Sequence, residues 1–415
     1  MISTSPTGMR GFTVIWLGQI VSMMGSAMTW FGFTIWAWEK TGKASALATL
    51  SFFAFLPAVL LTPLAGAFVD RWDRKLVMLL SDFATALGTL TIFLVYTFGS
   101  LQIWHVYVVS ILAGFFTAFQ YPAYDAAVTT MLSKDDYTRA EGMLGSARAF
   151  SGILAPIFAA ALLGWIGLSG IMLIDLVTFL AAFGTLILVR IPQPRQTEVG
   201  RQSQGTLWQE ILFGFRYIQE RQSLRSLTIL FMLAGIFLAI GATLMAPLVL
   251  SLTQNSESAL AAVQSTGAAG GVAGSVVLSL WGGTKRRIHN VLIGGAGASL
   301  LGMLWLGLSG AVLFWAIGSF FFSFFEPFVE GGNLAIWQTK VEADVQGRVF
   351  SARHLLVQVP YLFGILLAGY LAEASPISVV LVYAGLASAF VFLLGYLSAR
   401  VRDVETLVPD PLESL

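Results

Sequence analysis

Side chains able to do chemistry are scarce in this chain, and they fall into a few tight groups. Only 11% of the 415 residues are charged and 57% are hydrophobic. Yet the stretch GAFVDRWDRKLVMLL, Gly66 to Leu80, crowds Asp70, Arg71, Asp73, Arg74 and Lys75 together. Carboxylates beside guanidinium and ammonium groups form short, charge-assisted hydrogen bonds, so this stretch could act as an ionic latch. Asp82, Asp125, Arg148 and Asp175 interrupt apolar runs, and FFEPFVEGGN sets Glu326 and Glu330 one helical turn apart. A carboxylate withdrawn from water favours its neutral form, the property a proton-coupled step needs. There are no cysteines, and His105, His289 and His354 lie far apart. Disulfides, thiolate metal sites and His-centred catalysis therefore find no constellation, and neither an enzyme nor a metal site is expected.

The elements that must position these groups are apolar and long. A soluble domain carries about 25% charged residues, whereas runs of about 20 apolar residues, enough to cross a bilayer, recur here from end to end. The fold class is an all-α polytopic membrane protein. Alternating strands of about 10 residues, the mark of a membrane β-barrel, are missing from the sequence. Twelve spans are predicted at 11–38, 45–68, 76–98, 103–127, 142–165, 168–190, 226–251, 258–281, 288–308, 311–337, 353–373 and 377–399. With this count, every Lys and Arg except Lys40 and Lys43 falls on one side or at a helix end facing it. By the positive-inside rule that side is cytoplasmic, with both termini on it.

The longest polar segment divides the chain. The organisation predicted is a six-helix half over 1–190, a cytoplasmic linker over 191–225, a second half over 226–400 and a tail over 401–415. Within the linker, PQPRQTEVGRQSQG reads as flexible. LWQEILFGFRYIQERQSLR puts Leu207, Ile211, Phe215 and Ile218 on one helical face. That helix either lies on the membrane surface or extends the seventh span.

Uncharged polar residues form stripes. Gln19, Ser22, Ser26 and Thr29 share one face of the first span; Gln120, Tyr121 and Tyr124 cluster in the fourth, and Gln358 and Tyr361 in the eleventh. Such stripes line a cavity or bind helices together; the cavity is the reading for the first and fourth spans. Asp82, Asp125 and Arg148 lie at similar depth and are expected to neutralise one another, since intramembrane charges pair. Glu326 and Glu330, beside Pro327 and Gly331–Gly332, are the candidates for proton or cation coupling, with Asp175 as another. Gly267/Gly271 and Gly270/Gly274 form G-x-x-x-G packing pairs inside apolar runs. No phosphate-binding loop exists, so an ATP-driven pump within this chain is excluded.

Gly66, Asp70, Arg71, Arg74 and Lys75 match at the same spacing the loop signature G-x-L-A-D-R-x-G-R-K, with Phe68 and Asp73 departing from it. WGGTKRRIHN, between the eighth and ninth spans, resembles a decayed copy lacking the aspartate, as parallel repeats would leave. With twelve spans and a central divide, the chain resembles the major facilitator superfamily. Its first span, GQIVSMMGSAMTWFGFTIWAWEKTGKAS, is similar to macrolide-efflux-type members of the drug:proton antiporter group. SGILAPIFAAAL keeps Gly152 and Pro156 of the antiporter signature, with Ala155, Ala159 and Ala160 at glycine positions.

The resemblance implies two pseudo-symmetric six-helix halves rocking around a midplane site. Asp70 is expected to hold the cytoplasmic side closed by pairing with Arg348 or Arg353. The function expected is proton-coupled efflux of hydrophobic or amphipathic small molecules, drug or macrolide-like. The alternatives are export of a native metabolite, siderophore or lipid, and import by the same fold. The expected partners are substrate, protons and the lipid bilayer, with no nucleic acid and no cofactor beyond the proton gradient. A monomer in a bacterial inner membrane completes the expectation.

Overall fold

In the computed structural model the described residues are 8–69, 72–192, 207–342 and 345–406. Asp70 and Arg71 of the charged stretch, residues 193–206 of the predicted linker and the tail from 407 lie outside them, as do the side chains of Leu207 and Ile211. The described residues are overwhelmingly helical and contain no strand.

The first half contains α1 Gly8–Thr41, α2 Ala44–Val69, α3 Arg74–Phe98, α4 Ile103–Met131 and α5 Tyr137–Leu188. The second begins with α6 Leu207–Glu220, then α7 Gln222–Leu252, α8 Glu257–Trp281 and α9 Arg287–Gly297. A π-helix, Ala298–Leu304, and α10 Trp305–Leu308 extend α9 into one span. The chain continues through α11 Val312–Phe324, α12 Glu326–Lys340, α13 Gln346–Ala374, α14 Ile377–Leu397 and α15 Ala399–Arg402.

Local chemistry sets the boundaries. Asp73 caps α3 by accepting from Leu76 N at 2.9 Å, and Ser256 caps α8 by accepting from Ala259 N. Such caps satisfy N–H groups that have no partner inside the helix. Gly42 and Gly282, at φ 61° and 77°, take the left-handed turn that ends α1 and α8.

Eleven of the described helices are long and apolar enough to cross a membrane, and one of them counts twice. α5 has 52 residues, about 78 Å at 1.5 Å per residue, against about 30 Å of hydrocarbon. Gly167 breaks it with φ 65° and ψ −177°, a conformation essentially reserved for glycine. Its two arms run in opposite directions along α1. Met143 and Ser151 meet Trp16 and Met23 in ascending order, whereas Leu168, Thr178 and Thr185 meet Gly32, Gly25 and Gly18 in descending order. α5 is therefore two antiparallel spans, and the spans number twelve.

Contacts divide the chain into two compact units, Met1–Gly42 with Thr49–Gln204, and Lys43–Ala48 with Gly205–Leu415. In the first, α1 is held between the arms of α5, and α3 packs on α4 and α5. The core at one end gathers Phe12, Ile15, Met78, Ala123 and Leu186. In the second, α7 packs on α13 and α14, α8 on α11, and α9 on α12. The glycine stripe of α8 works as a packing face, because a Cβ at Gly270 or Gly274 would strike the backbone of Phe320 or Phe324.

α6 is a separate helix and does not continue into α7. Arg221 leaves the helical region between them, at φ −97° and ψ 102°. Tyr217 and Ile218 are buried against Val349 and Ala352 of α13, and Gly214 packs on the Arg348 carbonyl. Of the predicted apolar face, Ile218 and, in part, Phe215 thus pack on protein.

Candidate functional site

The polar residues of the first unit gather around two carboxylates. Asp82, on α3, is buried and accepts from Gln19 of α1 at 3.0 Å and from Gln120 of α4. Asp175, in the second arm of α5, is only 5% exposed. It accepts from Ser26 Oγ of α1 at 2.9 Å and from Thr89 Oγ1 of α3 at 3.2 Å. The stripe on α1 is thus turned inward, toward Asp82 at Gln19 and Asp175 at Ser26. It binds helices together at these positions. Ser22, between them, is half-buried.

The expected mutual neutralisation of Asp82, Asp125 and Arg148 is not made by ion pairs. Asp125 and Arg148 are exposed, and among the described residues neither is in a salt bridge with Asp82 or with the other. Two amides compensate Asp82 instead. Asp82 is buried while Asp125 and Arg148 are exposed, and a glutamine on each neighbouring helix reaches across to it. Tyr121 is 64% exposed, while the Tyr124 hydroxyl is buried without a partner.

Arg74 and Lys75 of the charged stretch anchor it to the backbone of neighbouring helices. Arg74 is 8% exposed and donates to the Ala126 carbonyl near the end of α4 at 2.6 Å. Lys75 Nζ donates to the Ile187 and Val189 carbonyls, at 2.8 Å each. Those carbonyls are orphans at a helix C-terminus, where a positive charge is favoured. Gly66 lies in the last turn of α2. Gly152 and Pro156 sit inside the first arm of α5, with Pro156 buried beside Ala155 and Ala159. Small residues there let helices approach closely.

In the second unit the span bearing the glutamates is broken at Phe325, between α11 and α12. Pro327 has no N–H to give to the Ser323 carbonyl four residues back. Glu326, the first residue of α12, is exposed, and among the described residues no hydrogen bond or ion pair reaches it. Glu330 lies 4.0 Å from Arg353 of α13, and the Arg353 guanidinium stands 5.3 Å from the centre of the Trp337 ring. Arg348 stacks over Phe213 at 5.5 Å. Phe320, Phe321, Phe324, Phe325 and Phe328 form a chain of ring contacts along α11 and the first turn of α12. Gln358 and Tyr361 are half-buried on α13. A cavity of about 200 Å³ lies among Met245, Gln264, Gly267, Ser319 and Ser323, smaller than the roughly 300–1,000 Å³ of drug-sized sites.

Some participants carry no sequence signal. Thr89 is one of three threonines, with Thr85 and Thr91, in an apolar run, and Glu342 is far in sequence from Tyr217 and Arg221. Arg221 stacks on the Tyr217 ring at 3.4 Å, 4.0 Å from Glu342, whose carboxylate accepts from the Tyr217 hydroxyl. Asn333 and Trp337, one turn apart on α12, are fully buried with polar atoms that find no partner among the described residues.

Twelve spans in two units, with ionisable residues set inside the spans, define a membrane transporter. Residues 15–364 match the Major Facilitator Superfamily, and the chain belongs to that family. It is 26% identical over 370 residues to macrolide efflux protein A of Streptococcus pyogenes, covering 87% of this chain and 89% of that protein. The Enterococcus faecalis macrolide efflux protein A is 26% identical over 318 residues, covering 75% and 95%. The crystal structure of a bacterial homologue of the iron transporter ferroportin, in an inward-facing state, superposes with a TM-score of 0.66. It shares 16% identity over 93% of this chain and 98% of that one, a likeness of fold.

Proposed function

We propose that this chain exports hydrophobic or amphipathic small molecules, driven by the proton gradient through alternating access of its two units. The observation that carries this reading is its similarity to macrolide efflux proteins over most of both chains. The signature residues Gly152 and Pro156, and a first span similar to that of drug:proton antiporters, support exchange with protons. Glu326 is the carboxylate best suited to pick up a proton. It opens α12 at the helix break, is exposed, and has no bonded partner among the described residues, whereas Glu330 is engaged by Arg353. The chain of rings from Phe320 to Phe328 suits an apolar ligand.

The asymmetry of Lys and Arg favours cytoplasmic termini in a bacterial inner membrane. The chain works as a monomer.

Liposomes containing the purified chain test the reading with a macrolide, a lipophilic dye and a labelled lipid as separate cargoes. The expected result is flux of macrolide or dye that rises with an imposed pH gradient, collapses with a protonophore and loses its pH dependence in Glu326→Gln. Flux indifferent to the gradient overturns proton coupling. Flux of labelled lipid alone overturns the small-molecule reading.

A further inference from the structure

The first unit contains a buried anionic pocket that the efflux reading leaves without a role. Asp175 sits deep between α1, α3 and the second arm of α5. Ser26 Oγ lies 2.9 Å from one of its oxygens and Thr89 Oγ1 lies 3.2 Å from the other. Thr29, one turn beyond Ser26 on the same face of α1, turns a third hydroxyl toward the same carboxylate. That hydroxyl is buried and, among the described residues, completes no hydrogen bond of ordinary length. Gly25 brings the α1 backbone against Asp175 and Thr178, so closely that a Cβ there would lie 3.1 Å from the Asp175 Cα.

Among the described residues no Lys, Arg or His pairs with Asp175. The neighbours that face it from α1 and α3 are neutral: Ser26, Thr29 and Thr89. Asp82, the other charged residue on that stretch of α3, lies seven positions from Thr89, roughly 10 Å along the helix axis, and is engaged by Gln19 and Gln120. A carboxylate so buried, with no cation beside it, is strongly disfavoured unless a positive charge joins it.

We propose that Asp175, Ser26, Thr29 and Thr89 form a binding site for a monovalent metal cation, of which sodium is the best match. The charge arithmetic selects a monovalent ion. One carboxylate neutralises one positive charge, and a divalent ion would be left with an uncompensated charge in a dry interior. Hard oxygen donors disfavour the metals that prefer thiolate or imidazole ligands. Ions of sodium's size, which is close to that of calcium, sit about 2.3–2.6 Å from oxygen ligands, within reach of the short Ser and Thr side chains here. The unpartnered Thr29 hydroxyl separates this reading from simple protonation. A neutral carboxylic acid needs one acceptor, which Ser26 or Thr89 already supplies, and leaves Thr29 with nothing to do. The site stands on side chains of the first unit alone, independent of cargo and of transport direction.

Equilibrium measurements on the full-length protein in detergent test it without substrate or gradient. Thermal unfolding is followed by tryptophan fluorescence in sodium, lithium, potassium and choline chlorides, and binding of radioactive sodium is measured directly. Sodium is expected to raise the unfolding temperature saturably, with choline inert, and Asp175→Asn to abolish both the shift and the binding. Thr29→Val removes a hydroxyl without a partner, so it is expected to leave stability in choline unchanged or higher while weakening sodium binding roughly 10-fold, the scale of a lost supporting contact at a metal site. If Asp175→Asn fails to fold, Thr29→Val and Ser26→Ala carry the test. Absence of a sodium-specific shift in the unmodified protein overturns the proposal, as does a shift that Thr29→Val leaves intact. An infrared band of protonated Asp175 at neutral pH, insensitive to sodium, would assign the pocket to a proton instead.

Discussion

The basic cluster that opens α3 and its counterpart that opens α9 do the same mechanical job by different means. Arg74 and Arg287, each the first residue of its helix, reach the backbone of the neighbouring helix, Arg74 at Ala126 and Arg287 at Ala335, at 2.6 Å and 3.0 Å. Beyond that the two diverge. The first unit buries Arg74 and sends Lys75 to two bare carbonyls at the end of α5. The second sends Arg286 to Asp403 at 3.3 Å and receives Glu405 on the Ile288 amide, with Arg287 adding the Thr339 hydroxyl. One end is tied by cations on helix dipoles inside the protein, the other by ion pairs at its surface. A buried charge on a carbonyl is insensitive to salt, whereas a surface pair is screened within about 10 Å at 0.1 M ionic strength. Two copies of one device have thus acquired different sensitivities to their surroundings.

The contrast can be broken most forcefully at Arg74. Arg74→Met keeps the apolar stem and leaves the Ala126 carbonyl without its charged donor. It is expected to cost about 2 kcal/mol, read as a lowered unfolding temperature that added salt does not change. Lys75→Met loses two helix-end carbonyl contacts from a half-buried site and is expected to cost about 1 kcal/mol, again without salt dependence.

The third test concerns α6, an element of the second unit that the first unit's described helices lack. Burial and the bond to Glu342 push the Tyr217 phenol up to about 12, from its ordinary 10.0. The folded protein therefore favours the neutral phenol. That contribution is complete below pH 10 and is lost as the pH rises through about 12. The Tyr217 hydroxyl holds the Glu342 carboxyl below its ordinary 4.5, so the carboxylate's contribution is present above 4.5 and fades as the pH falls. Tyr217→Phe is expected to cost under about 1 kcal/mol, since Glu342 is half exposed, and to flatten both limbs of the stability profile. Hydrogen exchange across Leu207–Glu220 reads the same loosening locally.

The smallest effect is expected at the surface. Arg286→Ala should lower the unfolding temperature slightly at low salt and not at all at high salt. The Asp403 carboxyl is held low by Arg402 and, more weakly, by Arg286, so this small contribution is present at neutral pH and fades in acid. Equal salt dependence for Arg74→Met and Arg286→Ala would erase the distinction between the two ends.

Much of the frame was legible in the sequence. Apolar length fixed the spans to within a few residues, including the boundary at Gly167, where two runs abut with only Ile166 and Gly167 between them. Small-residue spacing gave the packing face of α8. The partners of each polar side chain were harder to read. A span that is apolar all round has little periodicity to say which way Gln19 or Thr89 points, and the rotation of α1 between the arms of α5 decides it. The acceptors of Arg74 and Lys75 are carbonyls, which leave no mark in a residue pattern. Asp82 and Arg148 share a depth, but depth alone does not bring side chains on different helix faces together.

The Gly167 break has a consequence for anyone probing that end of the first unit. Two spans reverse there with scarcely a residue to spare, so the corner between them offers almost nothing for a protease to grip, an antibody to recognise or a labelling reagent to find. A tag inserted at this corner would have to bring its own loop, and its tolerance would report how rigidly the two arms are clasped around α1.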